Sequence, residues 1–139
     1  MDVNSITTDR LMKLLRSKPD EFENYVFDGN IILTESLEKL RKKRGISKKD
    51  IIIRTGLSKA YIYQVFGGTY VPGRNALLLI ALTLNVSVED TQRLLSLARK
   101  PALYPKIKRD AAIIVCLSKN LSPAETDEFL RGNGEDSLL

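Results

Sequence analysis

Ser47-Lys48-Lys49-Asp50-Ile51-Ile52-Ile53-Arg54-Thr55-Gly56-Leu57-Ser58-Lys59-Ala60-Tyr61-Ile62-Tyr63-Gln64-Val65-Phe66-Gly67-Gly68 holds two serine helix starts, each followed by a glycine stop, and so sets the architecture around it. Ser47 followed three residues later by Asp50 is a capping-type start, and the helix it opens over Ile51, Ile52 and Ile53 runs to about Thr55, where Gly56 stops it. Ser58 caps a second helix reaching Phe66, with Ile62, Val65 and Phe66 inward by spacing and Gly67-Gly68 ending it. Two short helices are thus predicted three or four residues apart.

On the N-terminal side, Thr34 offers an N-cap for a helix that turns Leu37 and Leu40 inward and its basic residues outward, closing at Gly45. Residues 8–18 carry Leu11, Leu14 and Leu15 on one face of a short amphipathic helix ended by Pro19. Phe22, Tyr25 and Val26 predict a second short helix over residues 20–27, before Gly29-Asn30 breaks the pattern. On the C-terminal side, Pro72-Gly73 make a turn before an all-round apolar, hence buried, helix over residues 75–84. Residues 87–98 form an amphipathic helix with a Ser87/Asp90 cap, and Pro101 and Pro105 bound a linker around Tyr104. Helices over residues 106–119 and 122–131 follow, the latter opening on Ser122, Pro123 and Glu125, and the tail after Gly132 is expected to fray. No segment alternates with the period of two that a half-buried strand requires, so the chain is predicted to be all-α, with about eight helices.

Sliding the chain by 35 residues aligns Arg74 with Arg109, Ala76 with Ala111, Leu82 with Leu117, Asn85 with Asn120, Ser87 with Ser122, Thr91 with Thr126 and Leu95 with Leu130, all identical. Each unit reads as a buried helix, an Asn able to adopt the left-handed conformation, an apolar residue and a Ser cap opening the next helix. The C-terminal hairpin therefore repeats the preceding one, and Cys116, aligned with Ala81, is a buried small residue rather than a reactive thiol.

Composition removes whole classes of chemistry. The 139 residues include 22 Lys+Arg, 17 Asp+Glu, one Cys and no His, which excludes Cys/His zinc sites, imidazole acid–base work and His-activated nucleophiles. No carboxylate cluster or Gly-rich phosphate loop stands out, and Asp20, Glu21 and Glu23 read as solvated, so neither an enzyme nor a cofactor or metal site is expected. The start lacks a basic and apolar leader, and the longest apolar run, Ala76 to Leu84, is too short to span a bilayer. A cytoplasmic, nucleoid-associated protein is the expectation.

Charge is unevenly distributed. Residues 1–33 hold 4 basic and 6 acidic side chains, net −2; residues 34–74 hold 10 and 3, net +7; residues 75–139 hold 8 and 8, net 0. A Lys/Arg run alone reads as a solvated helix face. Here it coincides with two capped helices at the spacing of a helix-turn-helix, which holds its second helix where a major groove admits it.

Ser47, Ile51, Gly56, Leu57, Ser58 and Ile62 stand at positions resembling the motif of the lambda-repressor-like (Cro/C1, XRE-type) helix-turn-helix regulators, and the resemblance continues through Gly68, Pro72, Leu77, Ile80, Ala81, Leu84, Val86 and Ser87. It spans about residues 33–95, and the segment from Leu103 to Leu130 looks like the C-terminal extension of a bacterial subgroup. Lys48 replaces a frequent Gln, Ile52 a small Ala where the two helices cross, and Tyr63 a Ser. The resemblance implies an N-terminal helical segment (1–30), a DNA-binding domain (31–98) and a C-terminal helical hairpin and tail (99–139), in a bacterial or phage transcriptional regulator that binds double-stranded DNA as a homodimer. Helix 58–66 would enter the major groove, with Lys59, Ala60, Tyr61, Tyr63 and Gln64 as base-contact candidates and Lys48, Thr69, Tyr70 and Arg74 as backbone-contact candidates. The alternative is a protein-interaction module, a sensor or antitoxin-like protein, that takes a partner through the C-terminal hairpin.

Overall fold

A computed structural model describes all 139 residues and is all-helical. Eight α-helices follow in order: α1 (Thr8–Ser17), α2 (Gly29–Arg44), α3 (Lys48–Thr55), α4 (Lys59–Phe66), α5 (Arg74–Thr83), α6 (Val88–Leu97), α7 (Lys108–Ser118) and α8 (Pro123–Gly132). Short 3-10 turns at Val3–Ser5 and Pro19–Asn24 precede and follow α1, and the only β feature is an isolated bridge between Asp2 and Val26. No helix is long and apolar enough to cross a membrane.

Local chemistry accounts for most boundaries. Ser47, Ser58, Ser87 and Ser122 each accept a hydrogen bond from the backbone N–H three residues on, giving four helices the same kind of N-cap. Glu125 returns the favour to the Ser122 N–H at 3.0 Å, and that bond holds its carboxyl below the ordinary range.

Three expectations are corrected. The segment over residues 20–27 is a single 3-10 stretch, Pro19–Asn24, followed by extended chain at Tyr25 and Val26. α2 begins five residues before Thr34, because the Asp28 carboxylate accepts from the N–H groups of Asn30 and Ile31 and so caps a helix that runs through Gly29-Asn30. The tail does not fray: the Leu138 side chain is 3% exposed, and its N–H donates to Asp127 Oδ1 at 3.1 Å.

That tail completes the repeat. Arg74 donates from Nε to Pro101 O (2.9 Å) and from Nη2 to Ala102 O (3.0 Å); Arg109, 35 residues on, donates from Nε to Asp136 O (3.1 Å) and from Nη2 to Ser137 O (3.0 Å). Gln92 and Asp127 occupy equivalent places, each accepting the N–H of the buried leucine, Leu103 or Leu138, that ends its unit. Asn85 and Asn120 adopt φ of 51° and 56°, and Arg99 and Gly134 adopt 56° and 75°, so both left-handed positions of the unit recur. The repeat is therefore carried by backbone geometry and by hydrogen bonds, over residues 74–103 and 109–138.

α2 packs on α4 and α6, α3 on α4, α5 and α8, and α7 on α6 and α8. One continuous core of 24 buried apolar residues runs from Leu33 to Leu138 and includes Ile113, Cys116, Leu117 and Leu130 of the last hairpin. The N-terminal segment stands apart from it: α1 packs on the Pro19–Asn24 turn and buries no residue fully.

Candidate nucleic-acid interface

The turn between α3 and α4 is built from its own residues. Gly56 takes φ 74°, left-handed backbone that a side chain resists, and its N–H donates to Ile52 O at 3.0 Å. Thr55, buried at 1% exposure, donates its hydroxyl to Ile51 O (2.6 Å) and accepts from the Leu57 N–H (3.2 Å), tying both sides of the turn together. Sequence spacing did not single out Thr55; a Thr directly before a helix-ending Gly, able to bond the carbonyl four residues back, is the signal that it carried.

α4 divides into two faces. Ile62, Val65 and Phe66 enter the core, and Ile51 of α3 meets them there at 0% exposure. Lys59, Ala60, Tyr63 and Gln64 are exposed, with Tyr63 at 49%. Two ammonium groups approach the Tyr63 ring, Lys48 Nζ at 5.3 Å and Lys59 Nζ at 5.8 Å from its centroid, so one aromatic and two cations form a ridge joining α3 to α4.

Lys48 is also drawn toward α2, where Glu38 Oε1 is 3.9 Å away. Glu38 accepts two hydrogen bonds from Arg41, at 3.1 and 2.9 Å, and these hold its carboxyl below the ordinary range. Arg41 also reaches Ile46 O at 3.1 Å, so this arginine of the basic run braces the α2–α3 turn. Glu38 and Arg41 were missed as supports of the ridge, although a Glu three residues before an Arg on one helix face is legible in sequence.

The remaining predicted positions separate. Thr69 and Tyr70 are exposed in the loop after α4, where Thr69 donates from both N–H and hydroxyl to Gln64 O. Tyr61 is half-buried, its hydroxyl accepting from the Gly73 N–H at 3.0 Å and its ring edge-on to Tyr70 at 5.4 Å. Arg74 has its guanidinium engaged by the loop after α6 and by α7. Besides its two carbonyls it forms a forked pair with Asp110, at 3.2 and 3.0 Å, which closes the first repeat on the second.

The last hairpin supports this face from behind. α8 packs on α3, and the Leu139 side chain lies beside the turn between α3 and α4, 3.7 Å from where a side chain on Gly56 would begin. Cys116 takes no part: it is fully buried, and burial pushes its thiol up, away from the reactive thiolate.

No protein-family model, curated protein or solved structure matches the chain.

Proposed function

We propose that the chain is a sequence-specific double-stranded DNA-binding transcriptional regulator of the lambda-repressor-like kind, which inserts α4 into the major groove and acts as a homodimer. The observation that carries this reading is the pair of serine-capped eight-residue helices joined through left-handed Gly56, with Lys59, Ala60, Tyr63 and Gln64 outward on the second. Gln64 has the donor and acceptor pair that suits adenine N6 and N7, Lys59 suits guanine O6 and N7, and Ala60 suits a thymine methyl. Lys48, Thr69 and Tyr70 flank the helix as phosphate contacts. Arg74 and Tyr61 are left out of this set, because Asp110 and Gly73 already engage their polar groups.

A second chain is suggested by apolar side chains outside the core: Phe22, Val26, Phe27 and Ile31 are between 41% and 59% exposed. The test is a mobility-shift assay over random duplexes at two salt concentrations. Retention of a preferred sequence together with a steep loss of affinity at the higher salt is expected. Binding without preference would refute the reading, and salt-insensitive capture of a protein would favour the interaction-module alternative.

A further inference from the structure

On α2 the residues divide by helical angle into two flanks. Thr34, Glu38 and Arg41 face the α3–α4 side, where Thr34 meets Gly68 and Glu38 meets Lys48. Ser36, Lys39 and Lys43 lie on the opposite flank, about half a turn away. There they face α6 across a cleft of about 200 Å³, whose other walls are Leu40, Leu94, Asp90 and Arg93.

Three exposed cationic side chains, Lys39, Lys43 and Arg93, line this cleft, and none is part of the four ion pairs of the fold. Lys39 and Lys43 are four apart on one helix, an arrangement of like charges that costs stability unless an anion bridges it. Asp90 is the only acid, and it sits in the first turn of α6, where the helix N-terminus already favours a carboxylate. The cleft therefore carries an excess of two positive charges beside two leucine side chains, one of them fully buried.

We infer that this cleft binds a small organic phosphate monoester. Its dianionic head would meet the Arg93 fork, the Lys39 and Lys43 ammonium groups and the Ser36 hydroxyl, and its apolar body would lie on the partly buried Leu40 at the floor of the cleft. The volume is below the ~300–1,000 Å³ of drug-sized sites, which sets the ligand at fragment size. The site lies on the flank of α2 turned away from α4 and does not rest on the DNA-binding reading.

Isotope-labelled full-length chain titrated with phenyl phosphate, inorganic phosphate and a random duplex tests it by amide shifts. Phenyl phosphate is expected to give saturable shifts confined to residues 36–43 and 90–94. Arg93→Ala and Lys39→Ala should each weaken binding about tenfold, and Lys13→Ala on α1 should leave it unchanged. Binding should also fall as the pH drops through about 6, where the monoester takes up a proton. Shifts spread over every basic surface, or equal losses in Arg93→Ala and Lys13→Ala, would overturn the site. Inorganic phosphate binding as tightly as phenyl phosphate would overturn the organic ligand, and competition by the duplex would overturn its separation from a nucleic-acid surface.

Discussion

At the scale of single residues, the exposed face of α4 makes separable predictions. Gln64→Ala should relax selectivity at one base pair and cost about 1–3 kcal/mol there, measured by competition among single-site operator variants. Lys48→Ala should weaken all sequences alike and lower the salt slope by about one, since an ammonium meets a phosphate without reading a base. Lys48 also holds one side of the Tyr63 ring, so a near-ultraviolet signal from Tyr63 should change with it. Glu38 makes a pH prediction. Arg41 lowers its folded-state pKa below the ordinary 4.5, so its stabilisation is complete above that value and is lost as the pH falls through the lower folded value. Glu38→Gln should lower stability by about 0.5–1 kcal/mol at neutral pH, with variant and parent converging in acid, as followed by urea unfolding.

At the scale of elements, the 35-residue unit supplies its own control. The first unit places Arg99, and the second Gly134, at the same left-handed position after a helix, with Lys100 and Glu135 each donating back to the leucine five residues earlier. A non-glycine residue there costs roughly 1 kcal/mol or more. Arg99→Gly should therefore raise stability by up to about 1 kcal/mol, read as a shift in the denaturant midpoint at unchanged slope. The same logic explains why the helix starts were legible: four serine caps act through the residue three positions on, a signal that never leaves the local chain. The start of α2 was not, because Gly29-Asn30 reads as a breaker until the Asp28 carboxylate is placed over the N–H groups of Asn30 and Ile31.

At the scale of the whole molecule, the last hairpin belongs to the structure that holds α3. Leu138 fills the place in the second unit that Leu103 fills in the first, and the chain beyond it reaches the Gly56 turn. Leu138→Ala should cost about 2–5 kcal/mol and speed hydrogen exchange at residues 55–58 as well as in α8, because α8 packs on α3 and the tail ends beside the turn. If only the tail exchanged faster, its support of the turn would be disproved. Removing everything after Lys100 would uncover the core surfaces that Ile113, Cys116, Leu117 and Leu130 cover. Such a truncation is expected to lose cooperative unfolding, which makes point substitutions at Leu138 or Asp127 the better probes of the hairpin.

The helical class, the two capped helices, the location of the basic excess and the 35-residue repeat are all legible along the chain. All of these rest on local hydrogen bonding, apolar periodicity or counts along the chain. The tertiary structure decided which charges are free. Of the basic residues in and around the helix pair, Arg41 and Arg74 are drawn into Glu38 and Asp110, Lys48 is shared between Glu38 and Tyr63, and Lys59 remains outward. It also decided that the tail is held, since Asp127 and Arg109 find its backbone only after α7 and α8 are packed. The Glu38–Arg41 pair is three residues apart on one helix, but the capture of Arg74 by Asp110 and the holding of the tail depend on groups distant in sequence meeting at hydrogen-bond range, and no pattern of spacing along a chain encodes that distance.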